Sequence, residues 1–87
     1  LYKYNNCMSS FEEYFYRNIA NQIRKYRIEK GFSQEELSYK LSKNLKYIGH
    51  VERCERKISN TAIIQLLDMW QITPADFYAF DDVYNWN

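Results

Sequence analysis

The 87-residue sequence contains little glycine, proline, cysteine or histidine: two Gly, one Pro, two Cys and a single His. So few chain breakers, together with 26% charged residues, are typical of a compact helical protein and not of a disordered chain. No run of 18 apolar residues is present, and the N-terminus lacks a secretory signal pattern, so we expect a protein without a membrane segment. The length corresponds to one domain.

The scarcity of cysteine and histidine also limits the chemistry. Cys7 and Cys54 are too few for a disulfide framework, so we expect reduced thiols and a cytoplasmic protein. His50 has no nucleophile at a recognisable spacing, which gives no catalytic triad. His50 and Cys54 are four residues apart, but two ligands do not make a zinc site. The sequence therefore predicts no enzyme activity, no cofactor and no metal site.

Charge is unevenly distributed along the chain. Residues 1–57 contain all 12 Lys and Arg and seven Glu, for a net charge of +5, whereas residues 58–87 contain four Asp and no base. A basic front and an acidic rear suit a domain that turns one face towards phosphates. Chance partition of surface charge is the alternative.

The most informative segment is residues 33–54, which predicts two short helices joined by a tight turn. Ser33 and Glu36 form the pattern of a capping box, and Asn44 is a good N-cap for the second helix. The inward positions of the two helices have helical spacing and are Leu37, Leu41, Ile48 and Val51. A helix, a three-residue turn at 42–44 and a second helix with a polar outer face are typical of a helix-turn-helix.

The residues of this segment also resemble a known family. The run 33–37 (SQEEL), Leu41, the pairs 47–48 and 52–53, and the flanking runs 27–31 (RIEKG) and 72–77 (ITPADF) are similar to the Cro/phage-repressor (Xre-type) helix-turn-helix family. The resemblance covers roughly residues 19–78. It implies an all-α, five-helix, repressor-like DNA-binding domain.

The remaining helices are predicted from caps and apolar spacing. A first helix starts at Ser9 or Ser10 and runs to about Lys30 before Gly31, either as one helix or with its early aromatic part separate. Ser59 caps a fourth helix, and residues 73–76 (TPAD) start a fifth that carries Phe77 and Phe80. Residues 1–8 are a flexible arm or a cloning remnant, and residues 9–87 form the domain with a C-terminal aromatic segment.

The resemblance implies a set of DNA-contacting residues. The second helix of the motif enters the major groove. The expected base contacts are Leu45, Lys46, Gly49 and His50. Lys46 can donate to guanine, and Gly49 would permit close approach of the backbone. The expected phosphate contacts are Gln34, Lys43, Asn44, Tyr47, Arg53, Arg56 and Lys57. Tyr47 has the alternative of packing against Leu41 and the first helix.

Two further expectations concern structure within the motif. Arg27 lies on the inward stripe of the first helix, where a charge is costly unless it is paired. The family places a Glu opposite this Arg, and here that residue is Glu52, so the resemblance implies a structural Arg27–Glu52 ion pair. The family also has Gly where Ser42 and Cys54 stand. Cys54 must therefore accept a strained backbone, or the helix must continue.

The C-terminal aromatics predict a homodimer, since they offer more apolar surface than one short helix can bury. The dimerisation residues would be Phe77, Phe80, Tyr84 and Trp86. Core packing of Trp86 is the alternative.

The sequence is thus interpreted as a DNA-binding transcriptional regulator. It would be a small repressor or a restriction–modification controller that binds a palindromic operator in double-stranded DNA as a dimer. One alternative is an antitoxin whose termini hold a toxin. The other is a protein-interaction module on a repressor-like scaffold.

Overall fold

The computed structural model describes residues 9–86, which form five α-helices and no strand. The helices are α1 (Ser10–Glu29), α2 (Gln34–Lys40), α3 (Tyr47–Glu52), α4 (Asn60–Trp70) and α5 (Pro74–Phe77). The all-α, five-helix prediction is confirmed. Within these residues, no helix is long and apolar enough to cross a membrane. The arm predicted at residues 1–8 lies outside the described range, so that boundary remains a prediction.

Helix α1 is one continuous helix, which decides between the two predicted forms of its aromatic start. Ser9 is the N-cap: its hydroxyl accepts from the Glu12 backbone N–H at 3.1 Å, and the Glu12 carboxylate accepts from the Ser9 N–H at 2.9 Å. This capping box satisfies two of the backbone N–H groups that a helix start leaves without partners.

Four helices in the described part of the chain end in the same way. A residue with a left-handed backbone stands just after the cap of α1, α2 and α3 and at the cap itself of α4, and the residue that follows it donates its N–H back across the last turn, which is the Schellman motif. The left-handed residues are Gly31 (φ 81°), Ser42 (φ 57°), Cys54 (φ 59°) and Gln71 (φ 54°). The returning donors are Phe32, Lys43, Glu55 and Ile72, at 2.8–3.0 Å. Ser42 and Cys54 therefore accept the conformation for which the family uses glycine.

The core is one cluster of buried side chains to which all five helices contribute. Fully buried side chains from each helix meet there, which is why the apolar spacing of the sequence predicted the helices. The largest of these buried residues are Ile19, Ile23, Leu37, Ile48, Val51, Leu66 and Phe77.

The C-terminal segment differs from the prediction. The fifth helix ends at Phe77, so Phe80 lies beyond it. Gln22 of α1 is buried, and its amide donates to the Phe77 carbonyl at 2.8 Å, which fixes α5 against α1. Beyond α5 the chain turns back along the start of α1, where the Tyr14 hydroxyl donates to the Asp82 carbonyl at 2.7 Å. Packing against α1 therefore replaces the predicted continuation of the helix.

Candidate nucleic-acid interface

Helices α2 and α3 are joined by the buried hydroxyl of Ser38. It donates to the Gln34 carbonyl at 2.8 Å and accepts from the backbone N–H of Ile48 at 3.0 Å. The N-cap of α3, Lys46, makes no side-chain cap hydrogen bond, so Ser38 provides from α2 an acceptor for the first turn of α3. This cross-helix cap fixes the angle between the two helices. The signal in the sequence was a small polar residue between two inward leucines, and its role was not predicted.

The connection between α2 and α3 is longer than the predicted three-residue turn. Helix α3 begins at Tyr47, and Asn44 is not its N-cap. Instead, the Asn44 carboxamide oxygen accepts from the Lys46 N–H at 2.8 Å, and its carbonyl accepts from the Tyr47 N–H at 2.9 Å. These local hydrogen bonds stabilise a separate turn, as Asn side chains commonly do. Lys43 and Asn44 are both exposed in this connection.

Three of the predicted base-contacting side chains lie on one surface: His50 on the outer face of α3, and Leu45 and Lys46 in the turn just before the helix and not on it as predicted. Leu45 is 50% exposed, Lys46 is exposed, and the His50 ring is partly exposed. They line a shallow pocket of about 370 Å³ between the start of α2 and α3. The other lining residues are Gln34, Glu35, Gly49 and Arg53. An apolar side chain, a cation and an imidazole that lie close together are suited to contacting base edges.

Gly49 differs from its prediction. It is buried, because the side chains of Gln34 and Arg53 lie over it. A Cβ added at Gly49 would stand 3.1 Å from both Arg53 Nη1 and Gln34 Oε1. The backbone of Gly49 is therefore covered, and it does not offer the close approach to DNA that the sequence predicted. Its missing side chain instead makes room for its two neighbours.

Arg27, Glu52 and Gln34 form a connected polar network behind the pocket. Arg27 donates from Nε to Glu52 Oε2 at 2.6 Å and from Nη2 to Glu52 Oε1 at 3.1 Å. Arg27 Nη1 also donates to the Phe32 carbonyl at 2.9 Å. Gln34 donates its amide to Glu52 at 2.9 Å and is half-buried. The predicted phosphate contact of Gln34 therefore competes with a hydrogen bond inside the protein.

Tyr47 is also placed differently from its predicted phosphate contact. Its ring is buried, and its hydroxyl accepts from the Ser59 N–H at 3.3 Å. Two cations instead lie against the ring: Lys43 Nζ is 5.2 Å and the Arg56 guanidinium carbon 4.9 Å from its centroid. Such cation–π contacts stabilise the position of a cation without neutralising it. Tyr47 is therefore a core residue whose ring also contacts Lys43 and Arg56, two of the predicted phosphate-contacting residues.

Lys57 and Arg53 complete the predicted basic rim. Lys57 is exposed, with Nζ 5.1 Å from the centroid of the Tyr16 ring on α1. Arg53, the cap residue of α3, is exposed and donates to Glu55 Oε1 at 3.2 Å. The structure thus brings together Lys43, Lys46, Arg53 and Arg56 around α3, whereas Lys57 is directed towards α1.

Glu55 was not predicted as part of the site. Its carboxylate lies 2.7 Å from His50 Nδ1 and 3.2 Å from Arg53 Nη2. These hydrogen bonds, first from His50 and then from Arg53, lower the pKa of Glu55. The ionised carboxylate of Glu55 therefore lies next to two residues of the pocket lining, His50 and Arg53. The only signal in the sequence was its position three residues beyond the end of α3.

The predicted dimerisation residues fall into two environments. Phe77 is fully buried in the core beside Tyr26, so its predicted role in dimerisation is wrong. Phe80 and Tyr84 are partly buried, and Trp86 is 77% exposed. Trp86 stacks on Phe11 of α1 with ring centroids 5.1 Å apart. These three residues belong to a surface cluster, here called the aromatic patch, with Phe11, Tyr14, Phe15 and Tyr78.

The described residues offer no obvious metal chemistry. Between residues 9 and 86, no three His, Cys, Asp or Glu side chains are grouped closely enough to hold a metal ion.

Comparison with solved structures shows the family to which this fold belongs. The chain is similar to the crystal structure of the restriction-modification controller protein C.AhdI from Aeromonas hydrophila, with 31% sequence identity and a TM-score of 0.62. The match covers 71% of this chain and 94% of that protein. The chain belongs to the Cro/phage-repressor (Xre-type) helix-turn-helix family. No family model matches the sequence, and no curated protein sequence matches it.

Two further structures share the family's fold. The controller protein C.Esp1396I, solved bound to a 25-base-pair operator site, is 26% identical, covers 74% of this chain and 84% of its own, and has a TM-score of 0.62. A hypothetical transcription factor, NHTF, from Neisseria has a TM-score of 0.68 over 77% of each chain. At 24% identity, it supports the fold alone.

Proposed function

We propose that this protein is a sequence-specific DNA-binding transcriptional regulator of the controller type, which acts as a homodimer on an operator. The observation that carries the proposal is the surface formed by α3 and the turn before it, where exposed Leu45 and Lys46 lie in the turn and partly exposed His50 lies on a helix positioned by Ser38. Similarity to C.AhdI over nearly its whole length, and to a protein solved with its operator, supports it. Such a regulator acts in the cytoplasm on its own promoter and carries out no catalysis.

The proposed contacts divide by what they read. Lys46 and His50 meet base edges, with Leu45 against a thymine methyl group. Lys43, Asn44, Arg53 and Arg56 contact phosphates and position α3 without reading sequence. Gln34 and Lys57 join them only if their side chains leave Glu52 and Tyr16, so we assign them a secondary part.

The test is DNA binding at two salt concentrations. The protein is titrated with its own upstream region and with random-sequence DNA at about 50 and 200 mM salt. Because each phosphate contact releases counterions, a dimer making six to ten such contacts loses about a thousandfold or more in affinity over this range. Binding should favour the upstream fragment.

Lys46→Ala tests the reading helix. It should weaken binding to the upstream fragment by about 1–3 kcal/mol and reduce the preference over random DNA. Lys25→Ala is the matched control, since this lysine lies on α1 against the Tyr26 ring, away from the pocket. Equal losses in both variants, or no binding at low salt, would contradict the proposal.

The aromatic patch favours a second candidate, a module that binds a toxin or another protein. Trp86 of the patch is 77% exposed and Val83 beside it is 92% exposed, and exposed apolar surface commonly marks an interaction site. Such a module would bind its partner with little salt dependence and would not require Lys46. The salt titration therefore separates the two candidates.

A further inference from the structure

His50 in the last turn of α3 and Glu55, three residues after the end of the helix, are joined by two contacts. The Glu55 backbone N–H donates to the His50 carbonyl at 2.8 Å, and the Glu55 carboxylate lies 2.7 Å from His50 Nδ1. The first bond belongs to the Schellman motif, which needs the left-handed backbone of Cys54 (φ 59°). Where that motif usually has an apolar contact between these two positions, this chain has an imidazole and a carboxylate. The backbone therefore aims Glu55 at one nitrogen of His50.

The chemistry of the pair determines where the proton lies. A carboxylate only accepts hydrogen bonds, so Nδ1 must carry the hydrogen at 2.7 Å. The lowered pKa of Glu55 keeps its carboxylate ionised at neutral pH. Arg53 Nη2 also approaches Nδ1, and as a donor it would require a lone pair there. That contact is 3.4 Å, and Arg53 has a 3.2 Å bond to Glu55 itself. The shorter contact with the carboxylate decides the tautomer.

The other ring nitrogen is then defined as well. In a neutral imidazole with its hydrogen on Nδ1, Nε2 is a hydrogen-bond acceptor. The His50 ring is 42% exposed and lines the pocket on the outer face of α3. In the major groove, the hydrogen-bond donors on base edges are the exocyclic amines, N6 of adenine and N4 of cytosine.

We propose that Glu55 is a specificity-determining positioning residue: it fixes His50 as the Nδ1–H tautomer, so that Nε2 accepts a hydrogen bond from an exocyclic amine of an operator base. This inference rests on the proposed DNA-binding function and deepens it, because it states the chemistry that His50 reads. Lys46 next to it is a donor, so the two side chains select opposite groups on neighbouring bases. Without Glu55, His50 can donate from Nε2 and loses this preference.

The first part of the test needs no DNA. Because His50 is the one histidine of the chain, long-range ¹H–¹⁵N correlation spectra of the imidazole need no assignment. The pH is raised until the ring shifts stop changing, so that the ring is neutral. A protonated Nδ1 and an unprotonated Nε2 are expected in the wild type. Glu55→Ala should give a mixture of tautomers, and Glu29→Ala, which removes an exposed carboxylate at the end of α1 and outside the pocket, should give the wild-type spectrum. A wild-type Nε2–H tautomer would overturn the proposal.

The second part measures base preference. Sequences selected from random DNA by the wild type should contain one position per half-site occupied by A or C, which Glu55→Ala no longer selects and Glu29→Ala still selects. Replacing that adenine by purine, or that cytosine by pyrimidin-2-one, removes the amine and identifies the base. Wild-type affinity should then fall about fivefold or more, the lower end of the range for a base contact.

Each outcome has a different consequence. If the wild type binds its operator but Glu55→Ala keeps the same base preference, the inference fails and the regulator proposal stands. If the wild type binds no DNA at low salt, both fail.

Discussion

Arg27 on α1 and Glu52 on α3 form a bidentate ion pair, in which Nε and Nη2 on one edge of the guanidinium donate to the two carboxylate oxygens. The side chains are 11% and 1% exposed. A third hydrogen bond runs from Arg27 to the Phe32 carbonyl, and Glu52 also accepts from Gln34. The pair therefore connects the end of α1, the start of α2 and the last turn of α3. The pair holds α3 against α1.

The Arg27–Glu52 pair should be essential as a pair. Arg27→Met or Glu52→Leu alone leaves a buried charge without its partner, so each should lower the free energy of unfolding by about 3–5 kcal/mol. The double variant removes both charges and should lose clearly less than the sum of the two. Urea unfolding followed by circular dichroism measures all three. Additive losses would show that the two charges do not interact.

Tyr47 should act through packing and not through DNA. Tyr47→Phe keeps the buried ring and the support of Lys43 and Arg56, and loses one hydrogen bond to Ser59, which should cost about 1 kcal/mol of stability. DNA affinity and its salt dependence should stay unchanged. A reduced slope of affinity against salt in titrations of operator DNA would restore the phosphate contact that the burial of Tyr47 argues against.

Gly49 should tolerate alanine. The added methyl would stand 3.1 Å from the ends of the Gln34 and Arg53 side chains, and such flexible ends can move by a few tenths of an ångström. Alanine is favoured over glycine inside a helix by about 1 kcal/mol. We expect Gly49→Ala to raise the unfolding free energy by at most that amount in a thermal or urea melt. A loss of more than about 1 kcal/mol would instead mean that Gln34 cannot move from Glu52 without cost.

The capping box of α2 should give the protein a measurable pH dependence. The backbone N–H and hydroxyl of Ser33 lower the pKa of Glu36 below its ordinary value of 4.5. Because the folded pKa is the lower one, the stabilisation is present above 4.5 and is lost as pH falls through the folded value. Glu36→Gln keeps a capping side chain without this titration.

Unfolding measured between about pH 6 and 3 should therefore show a smaller loss of stability on acidification for Glu36→Gln than for the wild type. Glu35→Gln, at the neighbouring position, is the control and should behave like the wild type. The lowered pKa of Glu55 contributes the same background to all three proteins. Identical pH profiles for Glu36→Gln and the wild type would rule out a contribution from the cap.

Trp86 should matter for assembly more than for folding. The ring is 77% exposed although it stacks on Phe11, so most of its surface is available to a second copy of the chain. Trp86→Ala should raise the dimer dissociation constant about tenfold or more, as expected for a central aromatic residue of an interface. Tyr39→Ala, which removes a 73% exposed ring from α2, is the control. Sedimentation equilibrium showing equal dimers in both variants would exclude the patch as the interface.

The local features of this fold were predictable, and the distant ones were not. Ser33 and Glu36 lie three residues apart, so their capping box is determined by neighbouring residues. The same holds for the Thr73 cap and the Pro74 start of α5. In contrast, the contact of Tyr14 with Asp82 joins residues 68 positions apart, and nothing near Phe80 indicates that the tail stops being helical. The end of α5 therefore depended on packing that the sequence does not display.

The candidate site shows the same division. The inward positions Ile48 and Val51 fix the rotation of α3 and so place His50 on its outer face, whereas Lys46, predicted on the same helix, lies in the turn just before it. The sequence could not decide the role of Tyr47, because a tyrosine can either pack in a core or donate its hydroxyl to a phosphate. Glu55 was missed for a different reason. Its approach to His50 requires the left-handed backbone of Cys54, and a cysteine does not indicate that conformation as a glycine would.

The repeated helix ending has an evolutionary consequence. At each Schellman motif, backbone hydrogen bonds alone return the next residue over the last turn, so the identity of that residue is not needed to make the turn. After α3, this residue is Glu55, and its side chain faces the reading surface without taking part in the core. A single codon change at this position can therefore alter what the surface recognises while the framework that presents it is inherited unchanged.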